Sequence, residues 1–326
     1  MAILRKDVLA HLEQNVRTGA LIGKKDYTPL RGAFTREFPS DGAYETYADM
    51  GSPPWPTQNA GKAGDGGKDE RTHAPRAGRL SGGRQITILG GEERALTVTN
   101  LDWEVAIGIT HNAINDNRAG DLENWARDAI TQFERHKDFE CFNALNSGGA
   151  VSGYGACYDG LSFFNDGHVD KGAEYQTGQD NAFALVLSLD NYETVKVAGS
   201  KFKDGRGQPV GLNHSLLLVP PDLERTAFQI ARNHQAYDTN NREANPYAGA
   251  TKLLVAPGGW LDSTAWFVVD DSLPNQKPLG IQVRQEPELV MWDDENAGDG
   301  GIRYYKFHAR YTVFFGDWRL AVQGNT

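Results

Sequence analysis

The chain has 326 residues, 39% of them hydrophobic and 37 of them glycine. That composition excludes a disordered polymer, and the length, above the usual single-core size, predicts a domain split or long excursions from one core. The formal net charge of −10 and a pI of about 5.3 exclude a surface built to grip nucleic acid, which needs clustered Lys and Arg.

In chain order, residues 1–22 place Leu4, Val8, Leu12 and Val16 one helical turn apart with charges between them. This spacing predicts a short amphipathic helix whose apolar stripe packs on the chain's own core or on a neighbour. Met1 to Lys6 lacks the apolar run of a secretion signal, and no segment approaches the ~20 apolar residues that span a bilayer. Two cysteines, Cys141 and Cys157, form neither a disulfide framework nor a CxxC pair. A soluble protein made in a reducing cytosol is the expectation.

From Gly51 to Gly91 the sequence turns rich in glycine and basic residues, including Arg71, Arg76, Arg79 and Arg84. No helix or strand is expected there before Gln85. Tyr44 to Tyr47 on one side and Leu96 to Ile109 on the other read as extended, the latter as a single strand, so the region predicts a long β-hairpin arm with a polar tip.

Asp121 to Asn146 is the strongest helix, with Asp121 as its cap and Trp125, Ile130 and Phe133 on a broad apolar face. A helix follows at Asn181 to Ala198, a buried strand at Ser215 to Val219, and a helix at Asp222 to Asn233 capped by Asp222. Thr251 to Ala256 and Ala265 to Val269 read as strands of an α/β unit, and Arg303 to Phe315 as a long terminal strand. Its alternation sends Tyr305, Phe307, Ala309, Tyr311 and Val313 to one face, which the long helix should cover.

Motifs that suggest chemistry fail on spacing. Gly61 to Asp69 lacks the first glycine of a phosphate loop and has Asp69 where Ser or Thr must bind Mg²⁺. Asp166-Gly-His168-Val-Asp170, with Asp159, sets carboxylates around one imidazole, but three or four convergent ligands are needed for a metal, and an Asp-Gly turn explains the same residues. Asp293 to Gly301 has no acidic ligands at alternate positions, and Phe164 stands where the nucleophile elbow around Ser162 needs glycine. No catalytic, metal or cofactor residue is assigned, and a non-enzyme is expected.

Lys277-Pro278-Leu279, Gln282, Arg284 and Pro287-Glu288-Leu289-Val290, followed by Phe315-Gly316, Trp318 and Ala321-Val322, resemble the carboxyl-terminal signature of the Mu-like prophage major head subunit family. Tyr158-Asp159-Gly160 with Phe163-Phe164 and His168 resembles the cluster that follows the long helix in that family. Leu217-Leu-Val-Pro-Pro-Asp222 is similar to a strand-to-helix turn of tailed-phage capsid subunits. Ser40, Tyr44, Tyr47, Asn100 to Glu104, Ile107, Ile109 and Asp116 resemble the segments that bracket the family's extended loop. The loop itself departs from the family, since glycine, lysine and arginine replace a shorter, tryptophan-rich connection.

The resemblance implies an α+β, HK-ninety-seven-type phage capsid fold. It divides the chain into an amino-terminal arm (1–44), an extended loop (45–100), a peripheral domain (101–185) with a spine helix (121–146), an axial domain (186–290) and a return strand (291–326). It also implies a major capsid protein that self-assembles into hexamers and pentamers of an icosahedral shell enclosing double-stranded DNA. Its partners would be further copies of itself, a scaffolding protein, a portal and a decoration protein, with no sequence-specific DNA binding and no membrane. Assembly would take place in the host bacterial cytoplasm, with scaffolding supplied by a separate protein or the chain already processed. The loop arginines Arg71, Arg76, Arg79 and Arg84 would meet acidic surface of a neighbouring subunit. The alternative from the residues is a soluble α/β enzyme or binding module with a glycine-rich mobile lid.

Overall fold

A computed structural model describes residues 14, 17–20, 22–49, 78–79, 85–86, 94–110, 119–151, 153–169, 177–235, 244–273, 275–294 and 301–325. In chain order the strands are β1 (Thr35–Pro39), β2 (Tyr44–Asp49), β3 (Gly78–Arg79), β4 (Gln85–Ile86), β5 (Arg94–Thr99) and β6 (Leu101–Thr110). After them come β7 (Ala182–Phe183), β8 (His214–Val219), β9 (Lys252–Val255), β10 (Trp266–Asp270), β11 (Leu279–Asp294), β12 (Ile302–Phe315) and β13 (Ala321–Gly324). The helices are α1 (Ala119–Asn146), α2 (Leu189–Ser200) and α3 (Glu224–Arg232), preceded by helical residues at 17–20 and 22–26.

One layer is a four-stranded sheet in the order β1-β11-β12-β6, built on the long antiparallel hairpin of β11 and β12. Alternation along β12 buries Tyr305, Phe307, Ala309, Tyr311 and Val313, and α1 lies over this face. At 28 residues α1 is about 42 Å long. Register shifts between Val283 and Gln285 and again between Gln285 and Glu288 mark a bulge, which bends the strand and re-aims its side chains. The second sheet runs β7-β13-β10-β8-β9. Leu216 to Val219 of β8 and Trp266 to Val269 of β10 are buried on both faces, which is why they read as unbroken apolar runs.

Several expected boundaries move. Leu96 to Ile109 is two strands broken at Asn100: β5 pairs with β2, whereas β6 pairs with β12. The inward apolar positions change phase at the break, from Leu96 and Val98 to Trp103, Ile107 and Ile109, which is the mark it leaves in the sequence. Asp121 lies in the first turn of α1, two residues after its start at Ala119, and is not its cap. The helix expected from Asn181 begins at Leu189. Asn181 is held instead by three hydrogen bonds from its amide to the carbonyls of Phe163, Trp318 and Ala321, and Ser188 caps α2 by accepting from the Asn191 amide at 3.1 Å. Asp222 sits within a 3₁₀ turn, Pro221–Leu223, that makes no side-chain cap.

The expected cuts between domains also cross the sheets. β11 belongs to the four-stranded sheet although most of it falls within 186–290, and β13 lies in the five-stranded sheet although it falls within 291–326. β3 pairs with β4, so Arg79 sits in a short strand where none was expected. Arg71, Arg76 and Arg84 lie outside the described residues, as do Leu4, Val8, Leu12 and Val16.

Candidate functional site

The arm that precedes β1 lies along α1, and the contact explains two glycines. A Cβ on Gly19 would stand 2.4 Å from the Glu123 carbonyl oxygen, and one on Gly23 would stand 2.4 Å from that of Arg127. Glycines four residues apart on one helix let its backbone touch the next helix, with both chains running in the same direction. The Arg127 guanidinium reaches Asp26 at 2.6 Å, and Lys24 reaches Glu286 at 3.6 Å.

Beyond this seat the arm delivers Arg31 into the interior. Its guanidinium donates to Asp138 Oδ1 and to Glu134 Oε2, both at 2.8 Å. The Tyr27 hydroxyl and the Leu30 amide donate to Asp138 Oδ2, each at 2.7 Å. Lys137, 1% exposed, donates to Glu134 at 3.0 Å and to Glu286 at 3.1 Å. The β11 bulge is what turns Glu286 toward that lysine. Burial alone would raise the Glu134 carboxyl, but Lys137 and Arg31 outweigh it and hold the group below its ordinary value. Burial raises the Tyr27 phenol, and its hydrogen bond to Asp138 adds to the shift. The sequence reading missed this network. Glu134, Lys137 and Asp138 recur at i, i+3 and i+4 on an otherwise apolar face of α1, and that was the available signal.

At the base of the hairpin arm, Glu45 Oε1 accepts from Ser40 Oγ at 3.0 Å and from the amides of Asp41 and Gly42 at 3.1 and 2.9 Å. The bonds from the Gly42 amide, the Ser40 hydroxyl and the Asp41 amide depress the Glu45 carboxyl. The Asn100 amide donates to Ser40 Oγ and to the Gly42 carbonyl, both at 3.1 Å, which clamps the two strands where they leave the body. The Tyr47 hydroxyl donates to Gln282 at 2.9 Å, and its ring stacks on Phe314 at 4.9 Å. The ladder of β2 with β5 thus has a rigid root.

Of the residues assigned to the spine, Ile130 and Phe133 are buried at 5% and 3% exposure. Trp125 is half-buried, its ring 5.7 Å from that of Phe307. His168 pairs with Asp159 at 2.6 Å, faces the Phe163 carbonyl at 3.2 Å, and stacks on Trp318 at 4.2 Å. Both ring nitrogens of His168 therefore face protein oxygens inside the fold. No cluster of three or more His, Cys, Asp or Glu is arranged to hold a metal among the described residues. Both cysteines are buried, and burial pushes the Cys141 thiol up to about 12 and raises that of Cys157, which removes them as nucleophiles.

The sequence profile of a phage capsid protein family matches residues 96–323. Comparison with curated proteins finds no match. Among solved structures, the capsid of bacteriophage JBD30 decorated with minor capsid protein trimers matches with a TM-score of 0.53 at 16% identity, over 72% of this chain and 92% of that one. The JBD30 procapsid matches at 0.49 and 16% identity, over 100% of this chain and 76% of that one. The capsid of Ralstonia phage GP4 matches at 0.49 and 10% identity, over 91% and 90%. The decorated capsid carries the fold assignment, which is the HK-ninety-seven-type phage capsid fold. With a profile match across both sheets and α1, the chain belongs to the phage capsid protein family, and its function is that of a major capsid protein of a tailed phage.

Proposed function

We propose that this subunit is the head protein of a Mu-like phage or prophage, and that copies of it form hexamers and pentamers tiling an icosahedral shell around double-stranded DNA. The observation that carries the reading is the rooted hairpin arm: a clamped pair of strands, β2 and β5, leads into a basic segment, while the chain as a whole carries a net charge of −10. Opposite charge on arm and body favours contact between copies, although each exposed pair contributes only about 0 to 1 kcal/mol. Many weak contacts must therefore act together. In this reading Arg71, Arg76, Arg79 and Arg84 meet acidic surface on the neighbouring subunit, and the unit within about 186–290 stands at the capsomer centre. Helix α1 and the four-stranded sheet form the peripheral part, drawn from residues 101–185 and 291–326 together with β1 and β11 and without β7 and β13, and Trp125, Ile130 and Phe133 are its spine core. A scaffolding protein, a portal and a decoration protein complete the particle, assembly takes place in the host cytoplasm, and the DNA is held without sequence-specific contacts.

The test is electron microscopy of the purified chain with and without its scaffold. Closed shells or capsomer rings are expected from the full chain, and deletion of 58–82 should abolish or weaken them while the circular dichroism of the subunit is retained. A chain that stays monomeric under all these conditions, or shells of normal stability from the deletion variant, would overturn the proposal.

A further inference from the structure

Both strands of the hairpin arm leave the body at one place. On the first strand the Ser40 amide still donates to the Val283 carbonyl of β11 at 3.0 Å, and β2 begins only at Tyr44. On the second, Asn100 is the single residue between β5 and β6. Leu96 and Val98 turn inward before it, and Trp103, Ile107 and Ile109 after it. Side chains alternate along a strand with a period of two, so this one-residue shift means that the backbone rotates at Asn100. Beside the root of the arm lies a cleft of about 330 Å³ lined by Phe38, Tyr47, Leu96, Phe314 and Leu320. Packing alone therefore leaves the arm room to move on that side.

We propose that Asn100 is the positioning residue of the hairpin arm: its side-chain amide locks the rotation between β5 and β6 and so sets the direction in which the arm reaches a neighbouring copy. Asn100 is 6% exposed. Its Nδ2 donates to Ser40 Oγ and to the Gly42 carbonyl, and its backbone amide donates to the Ala43 carbonyl, all at 3.1 Å. Three bonds thus run from one strand of the arm to the turn that starts the other. That turn has no slack of its own, since Glu45 gathers Ser40, Asp41 and Gly42. A Cβ on Gly42 would also stand 2.7 Å from the Tyr44 carbonyl oxygen. Asn100 Oδ1 is buried without a partner. A buried acceptor left unpaired is unfavourable, so the amide is placed for its two donors, which an ionised Asp lacks. Tyr47, bonded to Gln282, is a second fixed point further out, and two points determine a direction.

The inference rests on the self-assembly proposed above, and distances measured on the unassembled subunit separate the two. Spin labels are placed at Thr97→Cys, exposed on β5, and at Val151→Cys, exposed beyond the end of α1. Native Cys141 and Cys157 are buried and stay unlabelled. One narrow distance distribution is expected, and it should persist when Thr99→Ala, an exposed neighbour outside the clamp, is added. Asn100→Asp should lose the narrow peak and give a broad one while the circular dichroism of the subunit is retained. Ser40→Ala, which removes one acceptor on the other strand, should broaden it in the same way. A merely structural role for Asn100 would lower the urea midpoint but leave the folded subunit's distribution narrow. In assembly, Asn100→Asp should reduce the yield of closed shells by roughly tenfold. A narrow distribution in Asn100→Asp, or uniform shells from it at normal yield, would overturn the inference and leave the assembly reading standing. Should Asn100→Asp fail to fold, Ser40→Ala carries the test, and a narrow distribution there overturns the lock. Absence of shells from the unaltered chain would sink the assembly reading, while broadening in the variants would still assign the lock to Asn100.

Discussion

Arg31 and Asp138 show how much can depend on one pair of side chains. Asp138 has no solvent exposure, so its charge must be matched inside the protein, and Arg31 supplies a guanidinium bond at 2.8 Å from a different segment. Breaking a buried pair by removing one partner typically costs about 3–5 kcal/mol, because the remaining charge stays desolvated. Arg31→Met is therefore expected to lower the urea stability of the unassembled subunit by that amount at neutral pH. The pH dependence follows from Glu134, whose carboxyl is depressed by Lys137 and Arg31 against the opposing effect of burial. A depressed carboxylate stabilises the fold above its unfolded value of about 4.3, and the contribution is lost as pH falls through the folded value. The unaltered subunit should thus keep a constant urea midpoint from neutral pH down to about 5 and lose stability below about 4. Arg31→Met should show a shallower acid loss, since its Glu134 is less depressed. Equal slopes in the two proteins would show that the network is not what senses acid.

Among the elements, α1 has two distinct attachments. Toward the sheet it is held by apolar burial: Phe133→Ala would leave a cavity, with an expected cost of about 3–5 kcal/mol and an insoluble or non-assembling protein. A soluble, normally assembling variant would place the core elsewhere. Toward the arm it is held by close approach, and there the opposite change matters. Gly19→Ala with Gly23→Ala would force two methyl groups against backbone carbonyls, where a Cβ would stand at 2.4 Å. Overpacking of this kind costs about 1–3 kcal/mol. The arm should lift, with hydrogen exchange at residues 17–26 speeding up while the β11 and β12 amides keep their protection. Unchanged exchange would mean that the arm finds another seat.

At the scale of the molecule, the last crossing of the chain from one sheet to the other is a tightly packed elbow. β12 ends at Phe315, residues 316–320 turn, and β13 enters the second sheet between β7 and β10. The elbow is packed tightly: Trp318 is fully buried and stacked on His168, and Gly316 lies where a Cβ would meet the Lys277 carbonyl at 2.8 Å. Removing residues 321–326 takes away the partner of both neighbours, leaving β10 with an open edge and β7 without a strand. The truncated chain should lose exchange protection in β8 and β10 and associate through the exposed edge, while β11 and β12 stay protected. Full protection of β10 in the truncated protein would show that the second sheet stands without its closing strand.

Periodicity and turn chemistry made α1, β8, β10, β12 and the roots of the hairpin arm readable in the sequence, because each reports locally which face is buried. The same patterns excluded the phosphate loop, the calcium loop and the nucleophile elbow, and ordered motifs from Tyr158 to Val322 pointed to the capsid family. Three matters were decided only by tertiary structure. The phase shift at Asn100 marks a break, but which strands β5 and β6 pair with is not legible there, because alternation records burial and not the neighbouring strand. The sheet memberships of β11 and β13 depend on pairings between residues distant in sequence, and no local preference encodes them. The buried charges of Arg31, Glu134, Lys137, Asp138 and Glu286 look solvated in the sequence, since a charge is tolerated inside only where partners from other segments converge on it, and that convergence exists only once the chain has folded.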